Sequence, residues 1–200
     1  MATAFKEWAV VVELLARGQQ ILILRKGGIH EGRKGFQIDA DEFFLFPTLY
    51  HQQDEFLTGV DLPTLASIRA TWPGESLVPI GVGARLEAAW DVQDLEIARR
   101  LRPFHAWNDS VVEQRFDWGK TRSLHVLAVR AFRLRQSVNL PMLESYGGCK
   151  SWIRLEGAPA FERTQPALSD DAFGAQLSQV SRVLGTPQWK PSEPVTGVGG

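Results

Sequence analysis

Only one cysteine, Cys149, occurs in 200 residues, so no internal disulfide can form and a reducing, cytoplasmic setting is expected. No apolar run approaches the about 20 residues a helix needs to cross a bilayer. The opening MATAFKEWAVVVELLARG carries acids and lacks the basic start and unbroken apolar stretch of a signal peptide. Charge of one sign is also missing. Lys and Arg number 22 against 23 Asp and Glu, a formal net charge of −1, so bulk electrostatics point neither to a polyanion binder nor to a membrane-surface protein. A local basic patch stays compatible with that balance. Absent too are GxxxxGK[ST], HExxH and paired CxxC, which leaves no nucleotide P-loop and no recognised metal spacing. No metal, cofactor or internal repeat is expected.

What the chain does have is material for a core. It is 44% hydrophobic and 22% charged, with 7 Trp and 11 Phe, the composition of one ordinary globular domain. Phe5, Trp8, Val12 and Leu15 recur at helical steps and predict a helix over 4–17 stopped by Gly18, covered on more than one side because Val10 and Val11 interrupt its polar face. Gln20–Leu24 and Phe43–Pro47 read as short buried strands, separated by the polar, glycine-punctuated 29–39. The connection 50–76 reads as helix and loop.

Later come a strand over Ala84–Trp90, a helix from 93 broken at Pro103, and a helix over 111–118 capped from Asn108-Asp109-Ser110. Leu124–Leu134 alternates without a strongly polar face until its end, which predicts a central strand. Val138–Leu140 and Ser151–Leu155 add short strands. Beyond Gly157 a linker leads to a helix over Asp170–Leu184 with Ser169 as N-cap, followed by an extended or disordered tail. The expected architecture is α+β: one domain over 1–156 with a curved or barrel-like mixed sheet and flanking helices, then a C-terminal extension, 157–200.

The phrases KEWAVVVELLARGQQILILRKGGIHE, FFLFPTLYHQQ, FDWGKTRSLHVLAVRAFRL and LPMLESYGGCKSWIRL together resemble the bacterial domain-of-unknown-function 1802 family over about residues 4–156, the extension lying outside the likeness. That family transfers no activity to any residue. At the level of fold, the long strand LHVLAVRAFRL, the proline-marked VNLPM and the tryptophan strand GGCKSWIRL look like barrels of the PUA, ASCH and EVE type. This resemblance implies a PUA-like barrel and a role in binding RNA or modified bases.

Candidate site residues gather at strand ends. Arg25 and Lys26 follow a buried strand and open a segment holding four cations in ten positions, including Arg33 and Lys34. Glycine there lets backbone N–H groups approach a phosphate that arginine can grip with two hydrogen bonds; the plain alternative is a solvated loop. His51, beside Gln52, follows an apolar strand and could act as acid, base or ligand, or simply satisfy backbone groups. His30 with Glu31 could join it, and Asp39, Asp41 and Glu42 are the nearby acids. No acid-x-Lys pair supports a nuclease of the PD-(D/E)xK kind.

A second set, Trp107, Trp118, Lys120, Arg122, Tyr146, Lys150 and Trp152, mixes aromatic faces with cations, the pairing that holds single-stranded nucleic acid. The competing role for its tryptophans is core packing. Three functions follow. The first is a binding module for nucleic acid or a nucleotide-like ligand, with Arg25, Lys26, His30 and His51 on one wall, Tyr146, Lys150 and Trp152 on the other, and Gln52 as a further ligand contact. The second is a hydrolase assisted by His51 or a metal, and the third a partner-binding protein without a small ligand. Oligomeric state is left open.

Overall fold

The computed structural model describes residues 1–26, 40–49, 53–119, 121–148, 150–161, 163 and 165–191. Its centre is a six-stranded mixed sheet in the order β2-β5-β4-β3-β1-β6, formed by β1 (Ala2–Trp8), β2 (Leu22–Arg25), β3 (Glu42–Thr48), β4 (Leu77–Val92), β5 (Leu124–Pro141) and β6 (Trp152–Leu155). Only β1 and β3 run parallel; every other neighbour is antiparallel. Six α-helices accompany the sheet among the described residues: α1 (Ala9–Ala16), α2 (Gln53–Phe56), α3 (Leu62–Thr71), α4 (Leu95–Arg99), α5 (Asp109–Asp117) and α6 (Asp170–Leu184). The α+β class with a curved mixed sheet is therefore correct.

Curvature comes from the β4–β5 pair. It runs from Leu77 opposite Pro141 to Val92 opposite Leu124, with register shifts between Ile80 and Val82 and between Leu86 and Ala88. Each shift bends the strands and increases their twist. The pair thereby serves two cores. One holds Phe5, Phe43, Leu45, Trp90, Trp107 and the apolar side chains of α1; the other holds Ala4, Phe44, Phe46, Ile80, Tyr146 and Leu155 on the opposite face. The sheet does not close into a barrel. β2 and β6 remain its two edges, although the side chain of Arg25 at the end of β2 reaches the backbone carbonyl of Lys6 on β1.

The helix expected over 4–17 is the main correction. It begins only at Ala9, because residues 2–8 form β1, paired with β3 on one side and β6 on the other. Phe5 and Trp8 are spaced as on a helix, yet two sheet partners outweigh that local period. The helical remainder, α1, buries Ala9, Val10, Val11, Val12, Leu14, Leu15 and Ala16, nearly its whole circumference. Val138–Leu140 is not a separate strand but the end of β5, and Pro47 lies inside β3, opposite Glu7. Leu124–Leu134 is central as expected, with β2 and β4 beside it.

Residues 165–167 and Trp189 cover edges that the short strands leave bare. β2 reaches only Ala128 on β5. Farther along, Arg133 N–H donates to Gln165 O and Ala167 N–H to Ala131 O, both at 2.9 Å. β3 pairs β4 only up to Arg85, and past it Trp189 bridges to Ala89. Unpaired sheet edges invite aggregation, and covering them removes the template. Ser169 caps α6 through Ala172 N–H, as the sequence indicates.

At Gly18, φ is +68° and an added Cβ would lie 2.6 Å from the Leu168 side chain. Gly18→Ala is expected to cost about 1–3 kcal/mol in a urea titration, from backbone strain and the collision together. An unchanged midpoint would show that the turn and Leu168 can both give way.

Candidate ligand groove at the sheet seam

The C-terminal half of β1 is where separate strands meet. Phe5 pairs with Trp152 of β6 and with Leu45 of β3, and Trp8 pairs with Thr48 at the end of β3. Arg25, at the end of β2, sets its guanidinium 4.7 Å from the centre of the Phe5 ring and 3.7 Å from the Glu7 carboxylate. Across Phe5, Trp152 lies 4.9 Å from that ring and 4.9 Å from Phe43, edge-on to both. Arg25 and Trp152, far apart in sequence, thus pack against one phenylalanine.

Alternation along β6 places Trp152 and Arg154 on the same face, and Arg154 donates to the Thr3 hydroxyl across the β1–β6 pair. Together with Lys150, Ser145 and Glu156 they line an open groove of about 360 Å³, within the usual size of small-ligand sites. Lys150 and Arg154 are exposed, whereas Trp152 is half-buried. The Trp152 indole nitrogen is buried without a hydrogen-bond partner among the described residues. An aromatic body flanked by two accessible cations can take a planar ring and an attached phosphate.

Behind the groove sits a charged cluster inside the core. The side chain of Glu7 is fully buried. One carboxylate oxygen accepts Trp8 N–H at 2.7 Å, and the other has no hydrogen bond among the described residues. Arg115 of α5 places its guanidinium 5.0 Å from both the Trp8 and Trp107 rings and donates to Leu24 O at 2.8 Å. Burial lowers the Arg115 pKa to about 10, with Glu7 opposing and Arg25 adding to the shift.

The other residues chosen from sequence fall as follows. Lys26 donates to the carbonyls of Phe116 (2.8 Å), Thr121 and Ser123 (3.1 Å), so its three protons are spent on backbone. Burial holds its pKa below the ordinary lysine range, against the pull of Asp117 and Asp91. Tyr146 is buried in the second core against Phe46, on the sheet face opposite Trp152, and its hydroxyl accepts Glu156 N–H at 3.0 Å. Trp107 is fully buried, Trp118 exposed, and Arg122 paired with Asp117. Glu42 pairs with Arg163. His30, Glu31, Arg33, Lys34, Asp39, His51, Gln52, Lys120 and Cys149 lie outside the described residues. Among the described residues no three His, Cys, Asp or Glu side chains gather closely enough to hold a metal, and no helix is long and apolar enough to cross a membrane.

Glu7, Arg115 and Arg154 were not singled out from the sequence. Reading residues 2–8 as a strand would have put Glu7 beside Phe5 on the inner face, and the Trp-x-Arg alternation of β6 points to Arg154. A second hollow of about 400 Å³ is lined in part by Thr58, Asp61, Arg102 and His105. Asp61 takes the Thr58 hydroxyl and Arg102 pairs with Asp109.

The profile of the family described as "Domain of unknown function (DUF1802)" matches residues 4–179, and the chain belongs to that family. The match runs into α6, beyond the 4–156 stretch whose phrases carried the resemblance. Comparison with curated proteins finds no match. Among solved structures, the chain is similar to ASCH from Zymomonas mobilis, with TM-score 0.43 and 12% identity over 78% of this chain and 87% of that one. A tyrosine-to-phenylalanine variant of the same Zymomonas mobilis protein gives TM-score 0.45 and 11% identity over 88% and 96%. These neighbours are of the ASCH type that the strand pattern of the sequence resembles.

Proposed function

We propose that this DUF1802 domain binds nucleic acid or a nucleotide-like ligand in the groove beside β6. Lys150 and Arg154 meet phosphate, Trp152 meets a base, and Arg25 supports the Phe5 ring on which Trp152 leans. The observation that carries this reading is the placement of two exposed cations around a half-buried indole on one concave face. The near-neutral net charge makes such a local arrangement the main source of attraction for a polyanion.

Phosphate contacts release counterions, so each one lost flattens the salt dependence of binding, by about 0.7 in log–log slope per contact on a single strand. The double substitution Lys150→Ala, Arg154→Ala is therefore expected to lower oligonucleotide affinity at least about tenfold near physiological salt and to reduce the slope by about 1.4. Fluorescence anisotropy at several salt concentrations measures both. Equal affinity and slope in variant and wild type would remove the groove from consideration. The variant's fold is easily checked, since both side chains are exposed.

A further inference from the structure

Trp118, 66% exposed, is the only aromatic among the exposed large hydrophobic side chains of the described residues. It stands just beyond α5, in a turn that is held from several sides. Trp118 N–H closes the helix on Gln114 O at 3.0 Å. Arg122 binds Asp117 at 2.8 Å and lies 5.6 Å from the centre of the Phe116 ring. Lys26 ties Phe116, Thr121 and Ser123 together through their carbonyls. Desolvating an ammonium to fix a surface turn has a cost, and the turn it fixes carries an indole exposed to water. A backbone that is already held adds no ordering cost of its own when a base stacks on the ring it carries.

The turn is also linked to the groove. Lys26, which fastens it, follows Arg25 directly, and Arg25 packs on Phe5, whose ring also meets Trp152 and Phe43. We infer that Trp118 is a second stacking platform for the ligand held at Trp152, so that the ligand is a single-stranded oligonucleotide rather than a mononucleotide. This inference rests on the proposed groove.

The test compares a nucleoside 5′-monophosphate with single strands of about 12 nucleotides, as RNA and as DNA of one sequence, on wild type, Trp118→Ala and Lys150→Ala. Stacking on one aromatic is worth about tenfold or more. The inference expects the strands to bind at least tenfold more tightly than the monophosphate. It also expects Trp118→Ala to remove about that factor for the strand while leaving the monophosphate unchanged. A preference between RNA and DNA identifies which strand the site takes. If Lys150→Ala weakens both ligands but Trp118→Ala weakens neither, the second platform is wrong and the groove stands. If neither strand nor monophosphate binds wild type, the groove itself fails and this inference with it.

Discussion

Replacing Arg115 with methionine is expected to lower folding stability by about 3 kcal/mol or more. Methionine fills much of the space between Trp8 and Trp107, so the loss is mainly electrostatic. Two cation–π contacts of about 0.5–2 kcal/mol each disappear, as does a charged hydrogen bond to Leu24 O. Among the described residues Glu7 keeps Arg25 nearby, and a buried carboxylate with less compensation is costly. The same reasoning requires strong non-additivity. Glu7→Gln in the Arg115→Met background should recover part of the loss, because the charge that needed a partner is gone. Chemical denaturation of the two single variants and the double variant measures the coupling, and additive losses would show that Glu7 and Arg115 do not act as a pair.

The second large effect concerns acid. His105 is buried beside Trp107, and among the described residues neither ring nitrogen has a hydrogen-bond partner of good geometry. Burial, reinforced by the Arg102 and Arg115 charges and opposed by the Trp107 backbone and Asp109, lowers its pKa from 6.5 to about 4. The unfolded chain therefore takes up a proton that the folded protein refuses. The stability due to neutral His105 is complete above about pH 6.5 and falls as pH drops toward 4, where about 3 kcal/mol has been lost. Below that, both states are protonated and this contribution stops changing. Carboxylates elsewhere also respond to acid, so the informative quantity is the difference from His105→Phe. That variant should lose less stability than wild type between pH 7 and pH 4.5, by about 2–3 kcal/mol. Parallel curves would contradict a buried neutral imidazole.

How much of this was legible in the sequence depended on whether a signal was local. Ser169 with α6 and Asn108 with α5 could be read because a cap and a helical face lie within one stretch of chain. Leu124–Leu134 announced itself as central by having two apolar faces. β1 did not, because Phe5, Trp8, Val12 and Leu15 mimic a helical stripe while the partners that make residues 2–8 a strand come from β3 and β6. That misreading concealed Glu7, whose burial follows only from alternation with Phe5. Strand-end position brought Arg25 and Trp152 into view, and their meeting on Phe5 is a tertiary fact. Nothing local distinguishes Arg25, which faces the inner core, from Lys26, which turns to the carbonyls of residues 116–123. Nor does the sequence reveal that Tyr146 and Trp152, six positions apart, serve opposite faces of the sheet.

The most direct measurement is photo-crosslinking of a thio-substituted single strand to the wild-type domain, followed by mass spectrometry of the attached peptides. Adducts concentrated at Lys150–Arg154, lost on competition with unlabelled strand and in the Lys150→Ala, Arg154→Ala variant, are the predicted result. Specific adducts confined to other surfaces, such as the hollow around Arg102 and His105, would contradict the assignment of the β6 groove as the binding site.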